Sequence, residues 1–206
     1  GAMTQHDLLE NLRATQGRVK VIVRIGEFSK SLISRSLDWG ADGIMMPHVN
    51  NARDARKVID MMSYPPHGER GYSSSCRSYG YGTFPPKGIK EYTHPLFIAQ
   101  IETIEGVQNV EEIAETEGVD MLFVGQSDLT LDLSVSQNKS VFSVQDALSK
   151  VVSVAKQNSL MAGTLVRDME QILSLKSIGY DSLAITSDLG VIRSGYIDII
   201  NRIKRL

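Results

Sequence analysis

Short, largely apolar runs alternate along the chain with segments whose apolar residues recur at helical spacing. The runs are rich in β-branched residues and cover residues 19–25, 43–47, 96–101, 121–125, 160–166 and 182–186. An apolar run without a polar face predicts a strand that is buried on both sides. Strands of this kind that alternate with helices predict a parallel sheet in an α/β fold.

Helices are predicted before, between and after these strands. They cover residues 5–15, 29–38, 51–61, 106–115, 143–157, 167–178 and 189–206. Thr4 is a candidate N-cap of the first helix. Gly40, Gly118 and Gly179 each follow a helical segment, where a left-handed C-terminal cap is expected. We therefore interpret residues 1–206 as a single domain of repeated βα units.

One long segment, residues 63–95, interrupts this rhythm between the second and third strands. It is rich in Gly, Pro, Ser and Tyr, and a loop of this length is usually functional or disordered. Its aromatic residues are too frequent for a disordered linker, and they are Tyr64, Tyr72, Tyr79, Tyr81 and Phe84. The composition favours an ordered active-site lid, and the alternative is a mobile surface loop.

Composition and charge narrow the classes of partner. The chain has 22 basic and 24 acidic residues that are well mixed, so it offers no basic stripe for nucleic acid. No apolar run approaches the length of a membrane helix, and we expect no membrane partner. Cys76 is the single cysteine, which excludes an internal disulfide and favours a reducing compartment. We expect a cytoplasmic protein whose partners are small molecules or other proteins.

Charged residues follow the predicted strands at their carboxyl ends, where parallel α/β folds gather their ligands. They are Arg24, His48, Glu102, Asp128, Arg167 and Asp188. Two carboxylates and an arginine at one edge would form a site for a divalent cation that carries an anionic ligand. Oxygen ligands without cysteine favour Mg²⁺ or Mn²⁺. For each residue alone, a salt bridge or a helix cap remains the alternative, and Asp128 is a candidate N-cap.

Four segments of the chain closely resemble the HpcH/HpaI aldolase family, in family order and spacing: residues 37–49, 64–72, 100–103 and 124–129. This family comprises metal-dependent, pyruvate-using carbon–carbon lyases on a TIM (β/α)8 barrel. The resemblance implies that Glu102 and Asp128 coordinate the cation. It also implies that Arg24 is catalytic and contacts pyruvate or oxaloacetate, and that backbone amides around Gly125 to Ser127 hold the substrate carboxylate.

The resemblance implies the chemistry of a class II aldolase with Mg²⁺, Mn²⁺ or Co²⁺ as cofactor. A keto acid that chelates the cation has a polarised carbonyl, so the enolate formed on aldol cleavage is stabilised. Arg24 adds a second positive charge near the same oxygen. No lysine occupies a strand end in a family motif, which disfavours a Schiff base, although Lys20 on the first strand leaves that mechanism open.

Members of the family open with two further βα units, and the second carries a histidine that takes part in proton transfer. This sequence supplies strands three to eight, so the resemblance implies a barrel that is truncated at its N-terminus to about six βα units. Neither His6 nor His48 matches the missing motif. Two alternatives follow: a binding or structural subunit that retains the metal and keto-acid site, and a citrate-synthase-like enzyme that condenses the same enolate.

The last predicted helix, residues 189–206, carries more apolar residues than a solvent-facing helix needs. We expect a homo-oligomer in which this helix packs on a neighbouring subunit. The family resemblance implies a hexamer of paired trimers in which the helix is exchanged. The alternative is that the helix packs against its own barrel.

Overall fold

The computed structural model describes residues 3–15, 17–87, 92, 94–136, 142–166 and 168–205. The strands are β1 (Ile22–Arg24), β2 (Gly43–Met46), β3 (Leu96–Ile101), β4 (Met121–Val124), β5 (Met161–Leu165) and β6 (Ser182–Ala184). The helices are α1 (Gln5–Thr15), α2 (Lys30–Asp38), α3 (Ala52–Met62), α4 (Ile104–Gln108), α5 (Val110–Ala114), α6 (Gln126–Val135), α7 (Val144–Gln157), α8 (Met169–Ile178) and α9 (Asp188–Ile203).

The six strands form one parallel sheet whose spatial order is the same as the order along the chain, from β1 to β6. A doubly wound sheet reverses its strand order at one point, whereas a (β/α) barrel does not. The sheet is therefore a curled half-barrel of the TIM type. This confirms the predicted parallel α/β fold, and each strand lies within the run that predicted it.

The two faces of the sheet have different environments, as β3 shows. Phe97, Ala99 and Ile101 are fully buried in the main core between the sheet and the helices. Ile98 faces the other way and packs with residues of β4 in a smaller cluster on the concave face. Because side chains alternate along a strand, Gln100 shares this concave face with Ile98.

Three Gly-x-Asp turns fasten the amino edge of the sheet. The glycine of each turn has a left-handed backbone, with φ of +98°, +100° and +109° at Gly40, Gly118 and Gly179. Gly179 is the C-cap of α8 and Gly40 directly follows the C-cap of α2, as predicted. Gly118 lies beyond the end of α5, whose C-cap is Glu115. The carboxylates of Asp42, Asp120 and Asp181 accept hydrogen bonds of 2.8, 2.7 and 3.2 Å from the backbone N–H groups of Val21, Phe97 and Ala162. The aspartates that precede β2, β4 and β6 thus bind the backbone at the start of β1, β3 and β5, respectively.

The structure corrects the helix predictions in two places. The helix predicted over residues 106–115 is divided at Asn109, where α4 ends and α5 begins. The side-chain amide of Asn109 donates a 2.9 Å hydrogen bond to the carbonyl of Asn50, which holds the chain at this break. Helix α6 was not predicted, because its apolar residues are spread around the helix and only Leu129 among them is buried.

The described part of the segment 63–95 packs at the amino edge of the sheet. It begins after α3, which returns the chain to that edge, and ends where β3 starts. Arg77 donates hydrogen bonds of 2.6 and 3.2 Å to the carbonyls of Trp39 and Leu12, near the ends of α2 and α1. Arg70 forms a 2.6 Å ion pair with Asp38. The role of this segment as an active-site lid stays a prediction.

Helix α9 is the least covered element among the residues that the structure describes. None of its residues is buried. Its exposed apolar side chains are Leu189, Val191, Ile192, Tyr196, Ile197, Ile199, Ile200 and Ile203. It is 16 residues long, and within the described ranges the structure has no helix with the length and hydropathy that would cross a membrane.

Candidate active site

Four of the predicted strand-end residues come together at the carboxyl edge of the sheet. Arg24 is the last residue of β1, and Glu102 directly follows β3. His48 lies two residues beyond β2, and Asp128 lies in the first turn of α6, which follows β4. These residues are neighbours because the strands are parallel and adjacent, so that their carboxyl ends meet at one edge.

Glu102 is the centre of this cluster, and its side chain is fully buried. Its Oε2 accepts a 2.5 Å hydrogen bond from Nε2 of Gln100. Its Oε1 accepts a 3.1 Å hydrogen bond from the backbone N–H of His48, and Nδ1 of the same histidine lies 3.5 Å away. Both carboxylate oxygens are therefore held in place by neighbouring groups.

His48 contributes a strained backbone to this arrangement. Its φ is +52°, in the left-handed region that few residues other than glycine adopt without cost. This conformation accompanies the hydrogen bond from its N–H to Glu102, while its imidazole remains more than half exposed. The sequence pattern predicts His48 at a strand end but does not indicate its backbone conformation.

Arg24 reaches the same carboxylate through Gln100. Its Nε donates a 2.8 Å hydrogen bond to Oε1 of Gln100, and its Nη2 lies 3.9 Å from Oε1 of Glu102. Gln100 lies in the family-like segment 100–103, but the sequence pattern alone indicates no role for it. The signal that could have found it is a polar residue in an apolar strand, two positions before Glu102 and therefore on the same face.

The environment of Glu102 shifts the pKa of its carboxyl group upward. Burial raises the pKa of the Glu102 carboxyl, and the negative charge of the nearby Asp128 adds to the increase. His48 and Arg24 act in the opposite direction, but the pKa remains above its ordinary value. The carboxylate is thus only partly neutralised by the surrounding protein groups.

Gly125 forms a wall of the site, because no side chain fits at this position. A Cβ atom there would lie 2.6 Å from Oε2 of Glu102 and 2.8 Å from Nε2 of Gln100. The N–H of Gly125 donates a 3.0 Å hydrogen bond to the carbonyl of Ile101, so it belongs to the sheet. Glycine at this position therefore permits the close approach of β4 to Glu102.

The other predicted site residues are exposed or lie outside the described part of the chain. Ser127 and Asp128 are exposed in the first turn of α6, whose N-cap is Gly125, so Asp128 is not the N-cap. Asp188 is exposed at the start of α9, and Arg167 lies outside the described residues. Across the described part of the chain, no three His, Cys, Asp or Glu side chains are arranged to hold a metal ion.

A parallel half-barrel that carries charged side chains at the carboxyl edge of its strands is typical of (β/α)-barrel proteins, whose active sites lie at this edge. The sequence profile of the HpcH/HpaI aldolase/citrate lyase family matches residues 2–194. The chain belongs to this family, which confirms the resemblance that the sequence motifs indicated.

Two curated relatives show the enzyme class more closely. The chain is 35% identical over 189 residues to 5-keto-4-deoxy-D-glucarate aldolase of Escherichia fergusonii, which covers 91% of this chain and 74% of the relative. It is 33% identical over 189 residues to 2-dehydro-3,6-dideoxy-6-sulfogluconate aldolase of Pseudomonas putida, with the same coverage of both chains. These relatives place the chain among the aldolases, which are carbon–carbon lyases.

A solved structure supports the same fold. The crystal structure of an HpcH/HpaI aldolase/citrate lyase family protein from Burkholderia cenocepacia superposes with a TM-score of 0.88 at 25% identity. The match covers 98% of this chain and 81% of that protein.

Proposed function

We propose that this chain stabilises the enolate of pyruvate or oxaloacetate in a class II aldol reaction. The observation that carries this proposal is the pairing of a buried carboxylate, Glu102, with the cationic side chain of Arg24 at the carboxyl edge of the sheet. Glu102 supplies a hard oxygen ligand, and Arg24 supplies a fixed positive charge for a developing oxyanion.

The residues present fit a divalent cation, for which we propose Mg²⁺, Mn²⁺ or Co²⁺. Glu102 and Asp128 would hold it, because their mutual repulsion and the burial of Glu102 are relieved by a positive charge. A cation can reach Oε1 of Glu102 when the imidazole of His48, which is more than half exposed, turns toward solvent. When bound, the cation polarises the carbonyl of a chelated keto acid.

Arg24 acts on the reacting oxygen. Its guanidinium is held beside Glu102 by Gln100, so a keto oxygen bound at this edge meets a positioned donor. Removal of one such donor typically costs about 2.7–4 kcal/mol of transition-state stabilisation. Lysine would be a poor substitute, because it lacks the planar fork that bonds Gln100 and an oxyanion at once.

The substrate carboxylate is proposed to bind near the start of α6, where Ser127 lies. The positive end of the helix dipole favours an anion at this position. Because the N–H of Gly125 is bonded to Ile101, the role of Gly125 is to let the substrate and Glu102 approach the backbone closely.

Exchange of the methyl protons of pyruvate with deuterated water tests this function. We expect exchange that requires Mg²⁺ and Glu102, at a rate that depends on a positioned general base, which is worth about 100- to 10,000-fold. Proton NMR follows the loss of the methyl signal in the wild type and in Glu102→Gln, with circular dichroism to show that the variant is folded.

The outcomes of this experiment are distinct. Exchange that is lost in Glu102→Gln supports the proposal. Exchange that is independent of Mg²⁺ and of Glu102 contradicts it. If calorimetry shows that the wild type binds Mg²⁺ but exchange is absent, the chain is a binding subunit rather than a catalyst of enolisation.

A further inference from the structure

Helix α6 carries Asp128, but apolar packing holds this helix only weakly. Leu129 is the one buried residue among the ten of α6, all of which the structure describes. Leu133 is partly buried against the main core, whereas Leu131 and Val135 are 62% and 68% exposed. A helix in a protein usually gains most of its stability from a packed apolar face. The position of α6 therefore depends on its polar contacts.

One polar contact joins α6 to the residues that follow Glu102. Oδ2 of Asp132 accepts a 2.7 Å hydrogen bond from the backbone N–H of Ile104. Ile104 is the first residue of α4 and lies two positions after Glu102. Hydrogen bonds to an ionised carboxylate are stronger than those between neutral groups. This contact thus connects the helix that carries Asp128 with the backbone that carries Glu102.

A second polar contact joins the start of α6 to β5. Nε2 of Gln126 donates hydrogen bonds of 3.0 Å to Oγ1 of Thr164 and of 2.9 Å to the carbonyl of Leu165. Oγ1 of Thr164 is fully buried and donates a 2.9 Å hydrogen bond to the carbonyl of Val124. Because a hydroxyl has a single proton, this oxygen acts as the acceptor toward Gln126, whose NH2 group uses both of its protons. The first residue of α6 is thereby tied to the ends of β4 and β5.

The two contacts lie on either side of Asp128 along the helix. Gln126 is two residues before Asp128, and Asp132 is four residues after it. Residues four positions apart share a face of a helix, so Asp128 and Asp132 lie on the same side of α6. That side is turned toward the end of β3, since Asp132 contacts Ile104. The negative charge of Asp128 also contributes to the raised pKa of the Glu102 carboxyl, which places the two carboxylates near each other.

We infer that Asp132 and Gln126 are positioning residues that hold α6 so that Asp128 faces Glu102. This inference rests on the proposed function, in which these two carboxylates hold a divalent cation. The proposed ligands belong to separate elements, so the affinity of the site depends on how firmly those elements are held together. Asp132 and Gln126 supply this connection from two different directions.

Calorimetry with Co²⁺ on Asp132 variants tests the inference. Co²⁺ binds more tightly than Mn²⁺ to a given site, which keeps weakened variants measurable. Asp132→Ala should lower the affinity by about tenfold, the lower end of the range for loss of a group that orients a metal ligand. Asp132→Asn keeps an acceptor oxygen for Ile104 but removes the charge, and it should recover most of that affinity. In the Asp128→Asn background, Asp132→Ala should lower the affinity by less than about threefold, because the two residues act as a unit.

Hydrogen exchange of the Ile104 amide is a second readout that requires neither metal nor activity. Asp132→Ala should make this amide exchange about 10- to 100-fold faster, the usual value of a hydrogen bond to a charged group. Gln126→Met tests the other contact, and it should also lower the Co²⁺ affinity, with a smaller effect on the Ile104 amide. Glu170→Ala removes an exposed carboxylate at the start of α8 and is the matched control, which should leave both readouts unchanged.

The outcomes separate the inference from the proposed function. Unchanged Co²⁺ affinity in Asp132→Ala and Gln126→Met would overturn the inference. Equal losses in Asp132→Ala and Asp132→Asn would overturn it too, because they would assign the effect to charge, and so would additive effects with Asp128→Asn. If the wild type binds no divalent cation, the proposed function fails, and the exchange of the Ile104 amide alone decides whether Asp132 holds α6. Should Asp132→Ala fail to fold in thermal unfolding, Gln126→Met and its double mutant with Asp128→Asn carry the same test.

Discussion

The backbone N–H of His48 donates a 3.1 Å hydrogen bond to Oε1 of Glu102, and it does so from a left-handed backbone with φ of +52°. The hydrogen bond belongs to the backbone, so it does not require the imidazole. Conformational strain of this kind persists at functional sites where the surrounding structure compensates for it. The main chain of His48 therefore positions Glu102 independently of the imidazole, which lies exposed beside the same carboxylate.

Replacement of His48 by glycine should give a more stable protein than replacement by alanine. Both changes remove the imidazole, but only glycine adopts the left-handed conformation freely. The left-handed conformation costs other residues roughly 1–2 kcal/mol. Glycine lowers the free energy of unfolding by about 0.4–1 kcal/mol, because it increases the conformational entropy of the unfolded chain. We therefore expect His48→Gly to be more stable than His48→Ala by about 0.5–1 kcal/mol in urea unfolding.

The matched control for this pair is Ser149 on the exposed face of α7, where the backbone is helical. There the order should reverse, with alanine more stable than glycine by about 0.5–1 kcal/mol. Equal stability of the two His48 variants would show that the left-handed conformation is not required.

Gly125→Ala should destabilise the protein and disturb the carboxylate of Glu102. The added methyl group would overlap both Glu102 and Gln100, at distances under 3 Å. Overpacking of this kind costs about 1–3 kcal/mol. Urea unfolding measures the loss of stability, and calorimetry with Mg²⁺ measures the effect on the site. Gly71→Ala is the control, because a Cβ at Gly71 meets no atom within 4 Å. A neutral result at Gly125 would argue against the close packing of β4 on Glu102.

Metal affinity should depend on Glu102 and Asp128 together. Loss of even an outer-shell partner of a metal ligand lowers affinity by about 10- to 100-fold, so Glu102→Gln and Asp128→Asn should each lower it at least as much. Isothermal titration calorimetry with Mg²⁺, Mn²⁺ and Co²⁺ measures these affinities. Glu115→Gln, which changes an exposed carboxylate at the end of α5, serves as the comparison. Equal affinities in all four proteins would remove both residues from the metal site.

Helix α9 should mediate self-association. Ile197 and Ile200 are 50% and 48% exposed, and burial of such apolar side chains on a second subunit stabilises an oligomer. We expect the wild type to sediment as an oligomer at micromolar concentration, and Ile197→Lys with Ile200→Lys to shift it toward the monomer. Asn201→Lys adds a charge to the same helix and should leave the assembly intact. A monomeric wild type would contradict this role of α9.

The sequence predicted the sheet better than the site. The run over residues 96–101 gave the bounds of β3 without error, because a strand buried on both faces leaves a largely apolar run. The left-handed glycines after α2 and α8 were predicted because a helix end in the left-handed conformation favours glycine. Helix α6 was missed because its apolar residues do not form one stripe.

The sequence predicted which charged residues lie at the carboxyl edge, but not how their side chains contact one another. Strand-end charges identified Arg24 and Glu102, since parallel strands bring their carboxyl ends to one edge. The bridge through Gln100 and the backbone of His48 depend on side-chain and main-chain geometry across strands that are far apart in the sequence. The position of the segment 63–95 at the amino edge follows from topology, because a connection from a helix to the next strand always lies at that edge.

The Gly-x-Asp turns have a consequence for the order in which the protein folds. Their hydrogen bonds join residues that are 21, 23 and 19 positions apart. Each hydrogen bond therefore closes a chain loop no longer than a single βα unit. The contacts of Gln100 with Arg24 and of Glu102 with His48 span 76 and 54 positions. Short loops close with a smaller loss of entropy and local contacts form faster. The amino edge should therefore consolidate unit by unit during folding, and the charged cluster at the opposite edge should form only after β1, β2 and β3 have docked.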